Sequence, residues 1–258
     1  MPFTGSHPAA ILPLLRPLGR RDVPPAALVI GSITPDLPFY ALVTSLSDAT
    51  HSLIGAVSLD PAIGVVAYGA WRLFGAPALD ALRPGVGRER TAERPRSVAA
   101  IGRRVLAIYA GLAVGALTHV AWDSFTHGGM WGVRQLPWLA RQFGPLPGYE
   151  WAQYVSGAAG LLAILVWWLR HRRRDPAAAP PVRSRGTILA WSTVAAATLV
   201  GAALGLLLGI RGEEDPVRGA LFLAATRGGL GAALAVAAIG LAVRLTGRAG
   251  DRDSPSGS

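Results

Sequence analysis

The sequence predicts an all-α fold, a polytopic membrane helix bundle with about five spanning helices plus short helices at its N-terminal end. Three observations lead there. Only 16% of the 258 residues are charged, against about 25% in soluble domains, and the mean hydropathy is +0.38. Apolar runs of membrane-crossing length recur along the chain. Between them the basic residues gather in polar connections, and all 25 of them are arginine.

Residues 1–25 contain Pro2-Phe3-Thr4-Gly5-Ser6-His7-Pro8. Ser6 is placed to cap a short apolar helix from Ala9 to Leu18, with Pro8 in its first turn, where a missing N–H costs nothing. That run is too short to cross a bilayer. Arg20-Arg21-Asp22 and Pro24-Pro25 then interrupt the chain. Ala26 to Ile30 leads into Gly31-Ser32-Ile33-Thr34-Pro35-Asp36. Proline disfavours helix at the residue before it, so Asp36 is expected at a helix start or a bend. An ionisable group in such apolar surroundings needs a partner.

The first run of span length is Ser52 to Trp71, interrupted by Asp60-Pro61, with His51 directly before it. Val105 to Trp122 is the second and carries Gly111-x-x-x-Gly115, a spacing that lets helix backbones approach closely. Residues 124–149, with Trp131 and Trp138, read as an interfacial loop with aromatic anchors. Trp151 to Leu169 is the third run. Thr187 to Ile210 is the fourth, 24 residues without a charge, with Gly201, Gly205 and Gly209 on one face. Ala220 to Val243 is the fifth and contains Arg227. The division that follows is a membrane domain at 1–170 bearing the candidate site, a basic loop at 171–186, a two-helix hairpin at 187–244 and a disordered tail at 245–258.

Residues 83–104 hold seven arginines against two glutamates, and residues 170–185 six arginines against one aspartate. The positive-inside rule puts both loops in the cytoplasm. Topology therefore accounts for the net charge of +10, and nucleic acid is not the expected partner; the lipid bilayer is. His51, the stretch from His119 to His127 and the mixed hinge at 211–219 then fall on the outer side. Arg16, Arg20 and Arg21 resist this assignment unless the N-terminal region is a re-entrant pair of short helices. No cleavable leader is expected, because Met1 to Gly19 carries a histidine and four prolines. With no cysteine, disulfides, thiolate metal sites and cysteine nucleophiles are excluded.

His119, Asp123 and His127 recur every four residues and share one helix face. Imidazoles and a carboxylate converging on one line suit a divalent transition metal, zinc first. His51, from another span, falls at the same membrane face, and His7 and Asp36 join from the N-terminal region. His171, inside an arginine run, is left as a solvated loop residue. Each of these groups taken alone reads as a polar cap on a helix end.

The motifs Met-Pro-Phe-Thr-x-Ser-His at the start, Gly31-Ser32-x-x-Pro35-Asp36, Thr50-His51-Ser52-Leu53-x-Gly55 and His119-x-x-x-Asp123-Ser124-x-Thr126-His127 together resemble domain-of-unknown-function family 4184. This is a family of bacterial integral membrane proteins, and the resemblance covers roughly residues 1–170. The order of these residues is also similar to membrane-bound metal-dependent hydrolases and to the helical zinc phospholipase C and single-strand nuclease superfamily. Carried over, that likeness implies Asp36, His51, His119 and Asp123 as ligands of a central zinc. It implies His7 as a ligand of a neighbouring zinc that shares Asp123, and His127 as one ligand of a third. Two features depart from the soluble enzymes. Their N-terminal tryptophan ligand is Met1-Pro2 here, and their later histidine–acid pair is missing, with Glu150 the only acid nearby.

The expectation is a zinc hydrolase of the inner membrane, with one Zn2+ ion and room for a second. The site faces the extracytoplasmic side, and Asp36 or Asp123 accepts the proton. A site at headgroup level favours a phospholipid or lipid-linked phosphoester. The alternatives are a non-catalytic membrane protein with a structural metal and a transporter, for which Asp60 and Arg227 are the in-span charges. The topology is open to a direct check, because single cysteines can be labelled in this chain without background. An Arg90→Cys variant in intact cells should resist an impermeant thiol reagent, and labelling from outside would reverse the assignment.

Overall fold

A computed structural model describes residues 4–19, 23–41, 43–82, 97–172, 185–210 and 216–252. Its helices account for nearly every described residue. The exception in the sheet sense is a pair of two-residue strands, Gln142–Phe143 and Leu146–Pro147, antiparallel with Phe143 opposite Leu146. Five helices are long and apolar enough to cross a membrane: Leu59–Leu79, Val98–Thr126, Gly148–His171, Arg185–Gly209 and Pro216–Thr246. The chain is a multi-pass membrane protein.

The first span begins at Leu59, seven residues later than Ser52 (59 − 52). Ser52 instead caps a separate helix, Leu53–Val57, its hydroxyl accepting from the Gly55 N–H at 2.9 Å. That helix ends at Ser58, and Pro61 then sits in the first turn of Leu59–Ala70, the position where its missing N–H does no harm. Asp60-Pro61 is thus a start and not an interruption. A π-helical turn, Trp71–Gly75, carries the helix on to Ala76–Leu82.

Other boundaries differ in the same way. The second span begins at Val98, capped by Ser97, so Arg103 and Arg104 lie on the helix and not in a loop. The last helix runs to Arg252, well into the stretch expected as a disordered tail. Most of the two arginine-rich loops (83–96 and 173–184), the acidic part of the hinge (211–215) and the final residues 253–258 lie outside the described residues. Near the N-terminus, prolines 13 and 17 divide the expected Ala9 to Leu18 helix into Pro8–Ile11, a 3-10 turn Leu12–Leu14 and Leu15–Gly19. The first of these begins on His7 without a side-chain cap, so Ser6 is not its cap. Residues 124–149 fold into two short helices, Trp131–Gln135 and Pro137–Ala140, followed by the strand pair.

The chain divides into two compact units, one of Pro2–Tyr68 with Arg94–Arg172, the other of Gly69–Glu93 with Arg173–Ser258. Residues 69–82 therefore group with the C-terminal hairpin, although the sequence division left them in the first 170 residues. In the first unit, glycines seat the helix Pro25–Ile33 directly on the second span. A Cβ on Gly115 would stand 2.6 Å from the Ser32 nitrogen, and one on Gly31 would strike the Leu112 backbone. The Gly111-x-x-x-Gly115 pattern thus receives a short helix of nine residues. Ala27, Leu28, Leu112 and Ala116 are fully buried along this seam. Tyr109 donates to the Val57 carbonyl at 2.7 Å, pinning Leu53–Val57 to the same span.

In the other unit, Gly201, Gly205 and Gly209 face the backbone of Arg227, Leu223 and Ala220 in turn, an antiparallel contact without side chains between the helices. Gly231 returns the contact onto Ala197. A side chain at Gly205 must push the helices apart, and overpacking of this kind costs about 1–3 kcal/mol. Gly205→Leu should lower the thermal unfolding midpoint in detergent. Gly102→Ala, at a helical glycine with nothing within 4 Å of its Cβ position, should leave it equal or raise it.

Candidate metal centre

The seam between Pro25–Ile33 and the second span fixes the site. Thr34–Asp36 is a 3-10 turn that follows directly on the seated helix, so Asp36 arrives at the bend the sequence anticipated. His51 is the C-cap of the short helix Ser47–Thr50. His119 and Asp123 stand one turn apart on the buried side of the second span. His7 stacks on His119 with ring centroids 3.7 Å apart.

These elements bring Asp36, His51, His119 and Asp123 into one cluster, with one ligand atom from each within 4.8 Å of all the others. The Nε2 of His51 lies 3.3 Å from Asp36 Oδ1 and 3.6 Å from Asp123 Oδ2. The Nε2 of His119 makes the complementary pair, 3.6 Å and 3.3 Å. Both rings are held from behind. Nδ1 of His51 donates to the Ser47 carbonyl at 2.9 Å, and Nδ1 of His119 to the Ser32 carbonyl at 2.8 Å. A carbonyl only accepts, so the proton of each neutral ring is on Nδ1 and the Nε2 lone pair points at the carboxylates. The outer oxygen of Asp36 accepts from Thr4 Oγ1 at 2.5 Å.

Two lone pairs and two carboxylates thus converge with no donor between them. The Nε2 of His119, on a fully buried residue, has no hydrogen-bond partner. A cation at the centre resolves this, and the donor set of two imidazoles and two carboxylates can hold a divalent metal ion. Without an ion, protons take its place. Burial lowers the His51 pKa, but the hydrogen bond and charge of Asp36 outweigh it and hold the pKa above its ordinary value. Burial likewise raises that of Asp36, and the charge of His119 with the hydrogen bonds of His51 and Thr4 more than reverses the effect. Metal affinity therefore falls as the pH is lowered through the raised pKa of His51.

Asp123 divides its two oxygens. Oδ2 belongs to the four-residue cluster, whereas Oδ1 faces His7 Nε2 and His127 Nδ1, each at 3.5 Å. His7 and His127 are thus drawn to the centre but lie outside the four. Burial and the neighbouring charge of His119 push the His7 pKa down to about 4, so His7 is neutral at pH 7. Burial also lowers that of His127, whose Nε2 is 2.8 Å from Gln153 Nε2. A water-sized polar cavity of about 10 Å³ opens beside Asp123, lined among others by His7, Thr126, His127 and Gln153.

His171 stands apart, exposed and stacked on Trp167 with its Nδ1 on the Trp167 carbonyl. Glu150 is buried in the first turn of the third span and is not one of the four. Asp60 is completely buried and its carboxylate has no hydrogen-bond partner among the described residues. Sequence reasoning missed the residues that orient the ligands: Thr4, the carbonyls of Ser32 and Ser47, and Gln153. Ser47 is four residues before His51, a helical spacing that was open to inspection, but a backbone carbonyl carries no sequence signal of its own.

Among known proteins, the family model described as Domain of unknown function (DUF4184) matches residues 1–241, which extends the likeness through both C-terminal spans. No curated protein and no solved structure matches the chain. The hydrogen bond from Thr4 can be removed without touching a ligand. Groups of this kind typically contribute 10–100-fold to metal affinity. Thr4→Val should weaken metal binding by about ten-fold or more in competition with a chromophoric chelator, and His171→Ala should leave it unchanged.

Proposed function

The chain belongs to the family described as Domain of unknown function (DUF4184), and on that premise we propose a membrane-embedded, zinc-dependent hydrolase that cleaves a phosphoester in a lipid-like substrate. One observation carries the reading. Asp123 gives one oxygen to the ligand cluster and keeps the other beside a cavity of water size. A catalytic metal centre needs room for a water next to its ligands, and a closed structural one does not.

Bound zinc supplies a Lewis acid that polarises a phosphoryl oxygen and acidifies water. The side chains do the rest. Asp36 is fully enclosed, with Oδ2 taken by Thr4, so it acts as a ligand that orients the centre. Asp123 Oδ1 is the oxygen with space beside it and accepts the proton of the attacking water. His7 and His127 flank that oxygen and, being neutral near pH 7, can hold a water there or bind a second zinc. The site stands at the far end of the second span from the arginine-rich run before Val98, which supports an extracytoplasmic position in the inner membrane.

A structural metal is the second reading, and the completeness of the four-residue shell favours it, because structural zinc takes four protein ligands. Turnover separates the two. The metal-loaded protein should hydrolyse a chromogenic phosphodiester in detergent, lose the activity to a chelator and regain it with zinc. His127→Ala should keep the metal of the four-residue cluster while its rate falls by about ten-fold or more. A metal-loaded wild type that turns over no phosphoester would leave the structural reading standing.

A further inference from the structure

Beside the centre lies a groove of about 450 Å³ that the chemistry above does not use. It follows the other flank of the second span, through Val120, Ala121, Ser124 and Phe125, whereas the small polar cavity lies along Trp122, Asp123, Thr126 and His127. Its volume falls in the range of small-molecule sites, about 300–1,000 Å³. Its walls are largely apolar, and His51, a member of the ligand cluster, forms part of the lining.

The far wall is built in advance. The Phe125 and Trp131 rings meet edge to face with centroids 6.2 Å apart. Gly132 lets the short helix Trp131–Gln135 close on Phe125, because a Cβ there would stand 2.5 Å from the ring. Many apolar side chains of a membrane protein face lipid. A concave one that ends on a metal-ligating histidine has a more particular use. One permanently charged residue, Arg134, lines the groove, and no carboxylate does. Arg134 spends a donor on the Gly129 carbonyl, and its guanidinium has others to offer.

We propose that this groove holds the hydrocarbon chain of an anionic amphiphile, with Arg134 pairing with its phosphate-bearing head and His51 bringing that head to the metal centre. That the bound amphiphile is cleaved rests on the hydrolase reading, but the groove can be tested without turnover. Its occupant is an alkyl chain carrying a phosphate group, and chain length is the variable it recognises.

The first measurement is the binding of bromoalkyl phosphonates of increasing chain length, read by quenching of Trp131 fluorescence against a Trp131→Phe control. Each methylene entering the groove should tighten binding about four-fold until the groove is full. Ala121→Phe, which fills the groove, should abolish the length dependence while keeping the metal content of the wild type, which shows that its fold is intact. Arg134→Gln should weaken phosphonates by about ten-fold and leave the alcohols of equal chain length unchanged. The second measurement is turnover of alkyl phosphodiesters, whose kcat/KM should rise with chain length in the same steps. Length-dependent binding without turnover would uphold the groove and sink the hydrolase. Binding that ignores chain length, or survives Ala121→Phe, would overturn the proposal and leave the groove a surface for bulk lipid.

Discussion

The structure around the site depends on one electrostatic constraint. Two imidazole nitrogens and two carboxylates meet at a buried point, and the backbone carbonyls of Ser32 and Ser47 hold the rings so that lone pairs face inward. Such a point needs positive charge. A buried polar group without a partner is costly, and the Nε2 of His119 is one. The surrounding helices would gain nothing from this arrangement as packing. It is intelligible as a preorganised cation site, in which the protein bears the cost of assembling acceptors and the ion returns it on binding.

Glycine makes the constraint buildable. Asp36 and the Ser32 carbonyl reach His119 because Pro25–Ile33 lies backbone to backbone on the second span at Gly31 and Gly115. A larger residue at either position would move the donor and the acceptor apart by the width of a side chain. Helix packing and ligand geometry are thus the same fact seen at two scales. The C-terminal hairpin uses the same device at Gly201, Gly205 and Gly209, but no metal-ligating cluster accompanies it among the described residues.

Much of this was legible in the sequence where a rule of spacing or composition applies. The five apolar runs follow from length and composition, and the shared face of His119 and Asp123 and the close-packing glycines from a spacing of four residues. Boundaries were less legible. The sequence marks Pro61 as a break, where it starts a helix, and offers Ser6 as a cap, although the N-cap is His7. Both errors arise because local preference is the same at several neighbouring positions and tertiary packing chooses among them. Topology set His51 at the same membrane face as His119, but Asp36, 83 positions before His119 (119 − 36), became a ligand of the same metal only through resemblance. The orienting carbonyls and Gln153 had no signal that sequence alone could separate from background.

The central claim is that the four converging groups exist to hold a metal ion. Its most direct measurement is metal content by inductively coupled plasma mass spectrometry, on protein purified without chelator or histidine tag, for the wild type and His119→Ala. The account predicts about one firmly held transition-metal ion per wild-type chain, and its loss when the buried imidazole is removed. A wild type that retains no transition metal, even after zinc is supplied, would contradict it and reduce the cluster to a buried network of histidine–aspartate ion pairs.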